Sequence, residues 1–283
     1  MNKYRGKTAY VTGGSSGIGF AIAAQLAAGG THIALLARDA ERLHAAREKL
    51  RSRCPADVRV TEISADVSDR SALETALGDS VTAFGPPDIL VNCAGIAHPG
   101  YFEQIPPDVF ERLLSVNLGG VWNTTQILLP HIRARHGVIL NVSSLAGIVG
   151  TFGYTGYAAS KWGIIGFSEA LRNELSPEGV QVSVLCPPDT NTPQLEAENR
   201  IKPPETRAVS EGARVMEAAQ VAAACLKGMS RGRFLIIPGT MSKIVYTLKR
   251  TLPRLLYAVI DRDVRTCQKK MQRGSVAESA GPN

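Results

Sequence analysis

Seven short apolar runs punctuate the chain, at residues 8–12, 32–37, 58–64, 89–92, 138–142, 180–185 and 234–237, most of them rich in β-branched residues. Between them the apolar positions fall into helical spacing, over about residues 18–28, 40–51, 70–83, 107–135, 157–175 and 212–229. Strands that alternate with helices in this way predict an α/β fold with a doubly wound, seven-stranded parallel sheet. No internal repeat or low-complexity tract interrupts the alternation, so residues 1–240 read as a single domain.

Two stretches break the pattern. From Pro187 to Glu211 the chain is charged and proline-containing. That is too long for a plain connection and predicts a lid over a site. Beyond the last strand, Ile244, Leu248, Leu252, Leu255, Leu256, Val259 and Ile260 recur near helical spacing. Lys243, Lys249, Arg250, Arg254 and Arg262 lie between them, and Pro253 parts two helices. Residues 241–283 therefore read as a basic amphipathic extension, separate from the body.

Charge sharpens that reading. The chain carries a net +7, and eight Lys/Arg against Asp261 and Asp263 place +6 of it between Lys243 and Lys270. A basic partner surface is thus C-terminal, and an anionic membrane is the partner expected of it. Packing on the body or on a second subunit is the alternative. Nucleic acid is not expected, because only Tyr246 and Tyr257 offer stacking aromatics in that stretch. A hydrophobic content of 44% with 6% aromatics fits a folded chain with a large core. The five scattered cysteines form no Cys-x-x-Cys pair and suggest neither a disulfide framework nor a metal site. The N-terminus lacks a signal-peptide core, and no segment approaches the ~18 apolar residues of a membrane span. The expected location is cytoplasmic, with any membrane attachment peripheral.

In a doubly wound sheet, ligands bind beyond the carboxyl ends of the strands. Thr12-Gly13-Gly14-Ser15-Ser16-Gly17-Ile18-Gly19 sits between the first strand and the first helix, where the glycines permit a close backbone approach to a pyrophosphate. This is a Rossmann-type cofactor loop. An acidic residue ~20 positions further on would favour NAD. Arg38 stands in that neighbourhood, with Arg42 one helical turn on. A guanidinium pairs with the 2′-phosphate of NADP, to which Ser15 adds a hydroxyl, so NADPH/NADP+ is the expected cofactor. Asp66 and Val67 after the third strand are placed against the adenine. Asn92, Cys93, Ala94 and Gly95 after the fourth close over the cofactor.

Tyr157 and Lys161 lie four residues apart at a helix start, so both leave one face. The ammonium is expected to lower the phenol's pKa and make it a proton donor and acceptor. Ser144 ends the fifth strand, where its hydroxyl can hold a substrate oxygen, and Ser143 is the alternative.

With these motifs in place, residues 6 to about 240 resemble a short-chain dehydrogenase/reductase. The resemblance implies Tyr157 as general acid/base, Lys161 holding the nicotinamide ribose, Ser144 orienting a carbonyl and Asn117 supporting a relay water. It also implies Pro187 and Thr190 against the cofactor, and a homo-oligomer built on the helices that carry Asn117 and Tyr157. Cys93 replaces the family's second Asn, and Pro187-Pro188-Asp189-Thr190 replaces the usual Pro-Gly. With Glu198-Asn199-Arg200, Lys202-Pro203 and Glu205-Thr206-Arg207, that segment is similar to the corresponding one of 3-ketodihydrosphingosine reductases. A long-chain amino-ketone lipid is then the implied substrate, with Asp189, Glu196, Glu198 and Glu205 as candidate partners for its ammonium, or else solvated charges paired with Arg200 and Arg207. The alternatives are another lipophilic ketone, such as a 3-oxoacyl chain or a steroid, and a non-catalytic NADP(H)-sensing protein.

Overall fold

The sheet forms because its strands are enclosed on both faces, which a parallel sheet requires. The computed structural model describes residues 2–210 and 215–279. Its strands are β1 (Thr8–Thr12), β2 (His32–Ala37), β3 (Val60–Ser64), β4 (Ile89–Asn92), β5 (Val138–Val142), β6 (Gln181–Leu185), a two-stranded ribbon of β7 (Thr190–Asn191) with β8 (Met216–Glu217), and β9 (Leu235–Ile236). The main sheet runs β3-β2-β1-β4-β5-β6-β9 with every pair parallel. Sequence order therefore reverses between β1 and β4, and the crevice at that switch point is where such a sheet takes its ligand.

Helices α1 (Gly17–Ala28), α2 (Ala40–Arg51) and α9 (Ala218–Ser230) cover one face. They bury Ile22, Leu26, Leu43, Leu50, Val221 and Met229 against Val11, Ile33, Leu35 and Val91. On the other face lie α3 (Arg70–Phe84), α5 (Gly120–Ala134) and α6 (Thr155–Leu175), whose Leu73, Leu77, Leu128, Ile132 and Leu171 meet Tyr10, Leu36, Leu90 and Ile139. Asp39 and Asp69 start α2 and α3 by accepting from the backbone N–H of Arg42 and Ala72, as N-cap carboxylates do.

The helix expected over 107–135 is present in three parts. α4 (Pro107–Leu114) passes into a π-helical turn at Ser115–Gly119 and then into α5. The wider turn carries Asn117, in keeping with the frequency of π-bulges at functional sites. The strand expected over 58–64 begins at Val60; Val58 is buried, but its N–H goes to the Pro55 carbonyl rather than to a neighbouring strand. The helix expected over 212–229 is seen from Ala218, and its first three residues lie outside the described residues.

The segment expected as a lid holds regular structure, with β7 followed by α7 (Pro193–Ile201) and α8 (Pro204–Ser210); Glu211, its expected last residue, lies outside the described residues. The C-terminal extension likewise is not set apart from the body. α10 (Thr240–Thr251) and α11 (Pro253–Ser279) fold back so that Leu256 is buried with Ile148, Val149, Val184 and Cys186, flanked by Val245, Leu248 and Ile260. The apolar stripe that reads as a surface element thus has a face on the body. No helix among the described residues is long and apolar enough to cross a membrane.

Because Leu256 is the buried anchor of this pair, Leu256→Ala is expected to cost about 2 kcal/mol of unfolding free energy, the low end for a buried leucine. Urea denaturation checks this. A tail that hangs free of the body would give no change.

Candidate active site

The glycine loop is shaped by how closely it approaches the end of β4. The Thr12 hydroxyl accepts from the N–H groups of Cys93 and Ala94, each at 3.0 Å, and draws the two strand ends together. Gly13 has φ 65°, and a Cβ there would stand 2.9 Å from the Ala94 nitrogen; one on Gly19 would stand 2.4 Å from the Gly13 carbonyl oxygen. Only glycine fits either place. Ser16, the N-cap of α1, is extended and makes no side-chain cap bond, so its hydroxyl leaves the first-turn N–H groups to a ligand. These are the features a pyrophosphate needs: a backbone without side chains in the way and the open, positive end of a helix.

One cavity of about 1210 Å³ runs from this loop across the strand ends. Gly13, Ser15, Ser16, Gly17, Ile18 and Gly19 line it, together with Arg38, Arg42, Asp66, Val67, Ala94 and Gly95. Ser144, Tyr157, Lys161, Pro187 and Thr190 lie on the same wall system. Arg38 is half-exposed and stands 3.4 Å from Asp66, while Arg42 pairs with Asp39 at 3.2 Å. Burial of Asp66 acts to raise its carboxyl, but hydrogen bonds from Ser68 and the nearby Arg38 outweigh this and hold it below its ordinary value. These residues fit a nicotinamide dinucleotide, with the arginines at its adenosine end.

Asn92 departs from its expected place. Its side chain is buried away from the cavity, donating to Thr125 Oγ1 at 2.9 Å and Asn141 Oδ1 at 2.8 Å. Asn141 in turn donates to Ser168 at 2.8 Å. Asn92 therefore ties β4 to β5 and α5 rather than closing over a ligand. Asn117 is fully enclosed and holds the turn after β4: Oδ1 accepts from the Ile96 N–H at 2.8 Å, and Nδ2 donates to the Ile96 carbonyl and Ser160 Oγ. A Cβ on Gly95 would lie 3.2 Å from Asn117 Oδ1 and 3.3 Å from Lys161 Nζ, so both residues press on this one turn.

The two serines separate cleanly. Ser143 turns its hydroxyl to the Lys161 carbonyl at 2.8 Å, whereas the Ser144 hydroxyl accepts from the Ala146 N–H at 3.1 Å and stands near enough to Tyr157 to act on its phenol. Lys161 donates to the Val142 carbonyl at 3.0 Å, and its ammonium lies 5.6 Å from the centre of the Tyr157 ring. Burial lowers Lys161 to about 8. The expected lowering of Tyr157 is reversed. Desolvation by burial, then the charge of Glu198, push the phenol above its ordinary value, and the Ser144 hydrogen bond opposes them only in part. Both groups are driven toward their neutral forms because burial disfavours the charged one. A protonated phenol is the state that can give a proton to a carbonyl oxygen. Burial also raises Cys93 to about 11, which leaves it a neutral thiol in the wall.

Two features escaped the sequence reading. Tyr154 lines the cavity, its ring 5.6 Å from that of Tyr157, and its hydroxyl donates to Glu198 Oε2 at 2.5 Å. The far wall comes from the C-terminal helices, through Met241, Val245, Leu256, Val259 and Ile260. The acids expected as ammonium partners or solvated charges have distinct fates. Glu196 is exposed, Asp189 faces Lys202 at 3.4 Å, and Glu205 is buried, accepting from Tyr101 at 2.9 Å and from Gln268 of α11 at 3.3 Å. Arg207 donates to the Asn199 carbonyl at 2.9 Å.

A family model described as short chain dehydrogenase matches residues 7–202. The chain is 42% identical to the 3-ketodihydrosphingosine reductase of Bos taurus over 227 residues, 79% of this chain and 68% of that protein. It is 40% identical over 235 residues to the 3-dehydrosphinganine reductase of Danio rerio, which covers 82% and 71% respectively. Among solved structures it resembles a short-chain dehydrogenase from Sphingobium yanoikuyae in complex with NADPH, with a TM-score of 0.74 and 29% identity over 89% of this chain and 95% of that one.

Tyr157→Phe removes the phenolic proton and leaves the cofactor loop untouched. Turnover is expected to fall by at least ~10²-fold, the usual worth of a general acid. Steady-state rates read this loss, and cofactor fluorescence titration is expected to show unchanged binding.

Proposed function

From the premise that the chain belongs to the short chain dehydrogenase family, we propose that it reduces the 3-keto group of 3-ketodihydrosphingosine to dihydrosphingosine with NADPH. The observation that carries this reading is the continuity of the cavity. From Tyr157 and Ser144 it extends past Glu198 to Leu195, Val245, Leu256 and Ile260. A ketone thus meets a proton donor, an ammonium meets an acid and a long alkyl chain meets an apolar wall. The similarity to reductases of this substrate class supports the same choice.

The bound nicotinamide supplies the hydride. The protein's own part begins with Ser144, whose hydroxyl holds the substrate oxygen where negative charge develops. Tyr157 gives that oxygen its proton. Lys161, anchored on the Val142 carbonyl, is placed to hold ribose hydroxyls and to steady the phenolate once the proton has left. Asn117 keeps the Ile96 turn in position from behind, and the support of a relay water that returns the proton is the role its family likeness adds. Arg38 and Arg42 select the 2′-phosphate, because a guanidinium fork pairs well with phosphate. Pro187 and Thr190 border the nicotinamide end. Outward-facing Trp122 and Trp162, on α5 and α6, favour a homo-oligomer built on those helices.

The C-terminal helices carry a second reading, docking on an anionic membrane from the cytoplasmic side. Ile201, Met241 and Val259 line the cavity and are yet 51%, 63% and 37% exposed, so they mark an apolar mouth. Exposed Ile244, Leu252 and Leu255 extend the apolar surface of the same helices, with Lys243, Arg250 and Arg254 among them. A lipid substrate would then pass from bilayer to site without crossing water.

In a substrate panel, purified enzyme is expected to oxidise NADPH fastest with the long-chain amino ketone. Arg38→Ala is expected to lower the preference for NADPH over NADH about tenfold, the worth of one charged hydrogen bond. Turnover of steroid or 3-oxoacyl ketones but not of the amino ketone would refute the substrate assignment. For docking, the triple variant Lys243→Gln, Arg250→Gln, Arg254→Gln is expected to float less well with anionic liposomes, at about 1 kcal/mol per cation removed. Equal recovery of wild type and variant in the soluble fraction would rule docking out.

A further inference from the structure

Among the described residues, Glu198 is the one acid of this segment that is buried, faces the catalytic cavity and forms no ion pair with a lysine or arginine. It is 9% exposed and lines the cavity wall. Its two hydrogen-bond partners are neutral: Tyr154 donates to Oε2 at 2.5 Å and Gln194 Nε2 donates to Oε1 at 2.9 Å. The other acids are spoken for. Asp189 faces the Lys202 ammonium, Glu205 is held by Tyr101 and Gln268, and Glu196 is exposed. A buried carboxylate is ordinarily matched by a cation, since uncompensated charge is costly away from water. Each oxygen of Glu198 accepts one bond from these partners and retains capacity for another.

The position matches the chemistry of an α-amino ketone. In such a substrate the ammonium sits on the carbon next to the carbonyl, so its partner must stand close to the proton donor. Tyr154 provides that spacing, with its ring 5.6 Å from the Tyr157 ring on one side and its hydroxyl on Glu198 on the other. We propose that Glu198, oriented by Tyr154 and Gln194, binds the primary ammonium of the substrate and is the residue that distinguishes amino ketones from neutral lipophilic ketones. Tyr154 and Gln194 are positioning residues in this arrangement. The inference rests on the amino-ketone reading given above and adds to it the residue responsible for the choice.

The test compares two substrates of equal chain length, the long-chain 2-amino-3-ketone and its counterpart without the amine, in wild type and Glu198→Gln. The amide can still accept from Tyr154 but carries no charge. The expected result is a KM for the amino ketone raised roughly 30-fold, the range of one charge-assisted hydrogen bond, with the KM of the neutral ketone unchanged; any change in kcat that follows from removing the charge beside Tyr157 falls on both substrates alike. An equal rise in KM on both substrates would mean that Glu198 only braces this segment, and no rise on either would mean that it does not bind the ammonium; each result overturns the proposal. If Glu198→Gln fails to fold, wild type is tested with the N-acetylated amino ketone. A KM raised at least tenfold supports recognition of the charged amine, and an unchanged KM overturns it. Failure of wild type to reduce the amino ketone at all would overturn the substrate reading itself, whereas normal turnover with a non-selective Glu198→Gln defeats this inference alone.

Discussion

The contact on which the rest of the site depends is the one between the turn after β1 and the turn after β4. Thr12 gathers two N–H groups from the neighbouring strand end, and Gly13 has no room for a side chain against Ala94. This closure happens where the strand order reverses, so the crevice that a doubly wound sheet always offers is here narrowed to the width of a backbone. The open end of α1 and the turn through Ala94 and Gly95 take their positions from it. Asn117 and Lys161 converge on Gly95 from two other helical segments, which joins the proton-transfer side of the cavity to the cofactor side.

Burial of the two groups then sets the electrostatics. Desolvation is the largest influence on both Tyr157 and Lys161, and it moves each toward neutrality. The phenol enters as a proton donor suited to reduction. Nearby Glu198 reinforces this, since a negative charge beside a phenol disfavours ionisation. The same carboxylate is thus coupled to the proton donor and available to the substrate's cation.

Local motifs were legible in the sequence, and distant partnerships were not. The glycine loop and the four-residue spacing of Tyr157 and Lys161 are properties of one strand-to-helix turn and one helix face, so spacing alone places them. The parallel sheet follows from its apolar runs in the same way. Asn92 reads as part of a cofactor loop because of its neighbours, but its side chain is claimed by Asn141 and Thr125, far along the chain. Glu198 and Glu205 read as candidate partners for a cation, or as solvated charges paired with Arg200 and Arg207, because those arginines are the charges near them in sequence. Their burial comes from Tyr154, Tyr101 and Gln268, at separations of 44, 104 and 63 residues. The direction of the Tyr157 shift was missed for a related reason: a neighbouring lysine is visible in sequence, and desolvation is not.

The C-terminal helices close the cavity, yet among their described side chains only Ser242 and Leu256 are buried. Cooperative units with few buried apolar contacts open at a small fraction of the global unfolding free energy. Among the described residues, the C-terminal wall of the cavity is therefore less costly to displace than the sheet and the glycine loop, which belong to the main core. For the lipid substrate proposed above, admission and preservation of the catalytic geometry would in this way fall to regions of different local stability.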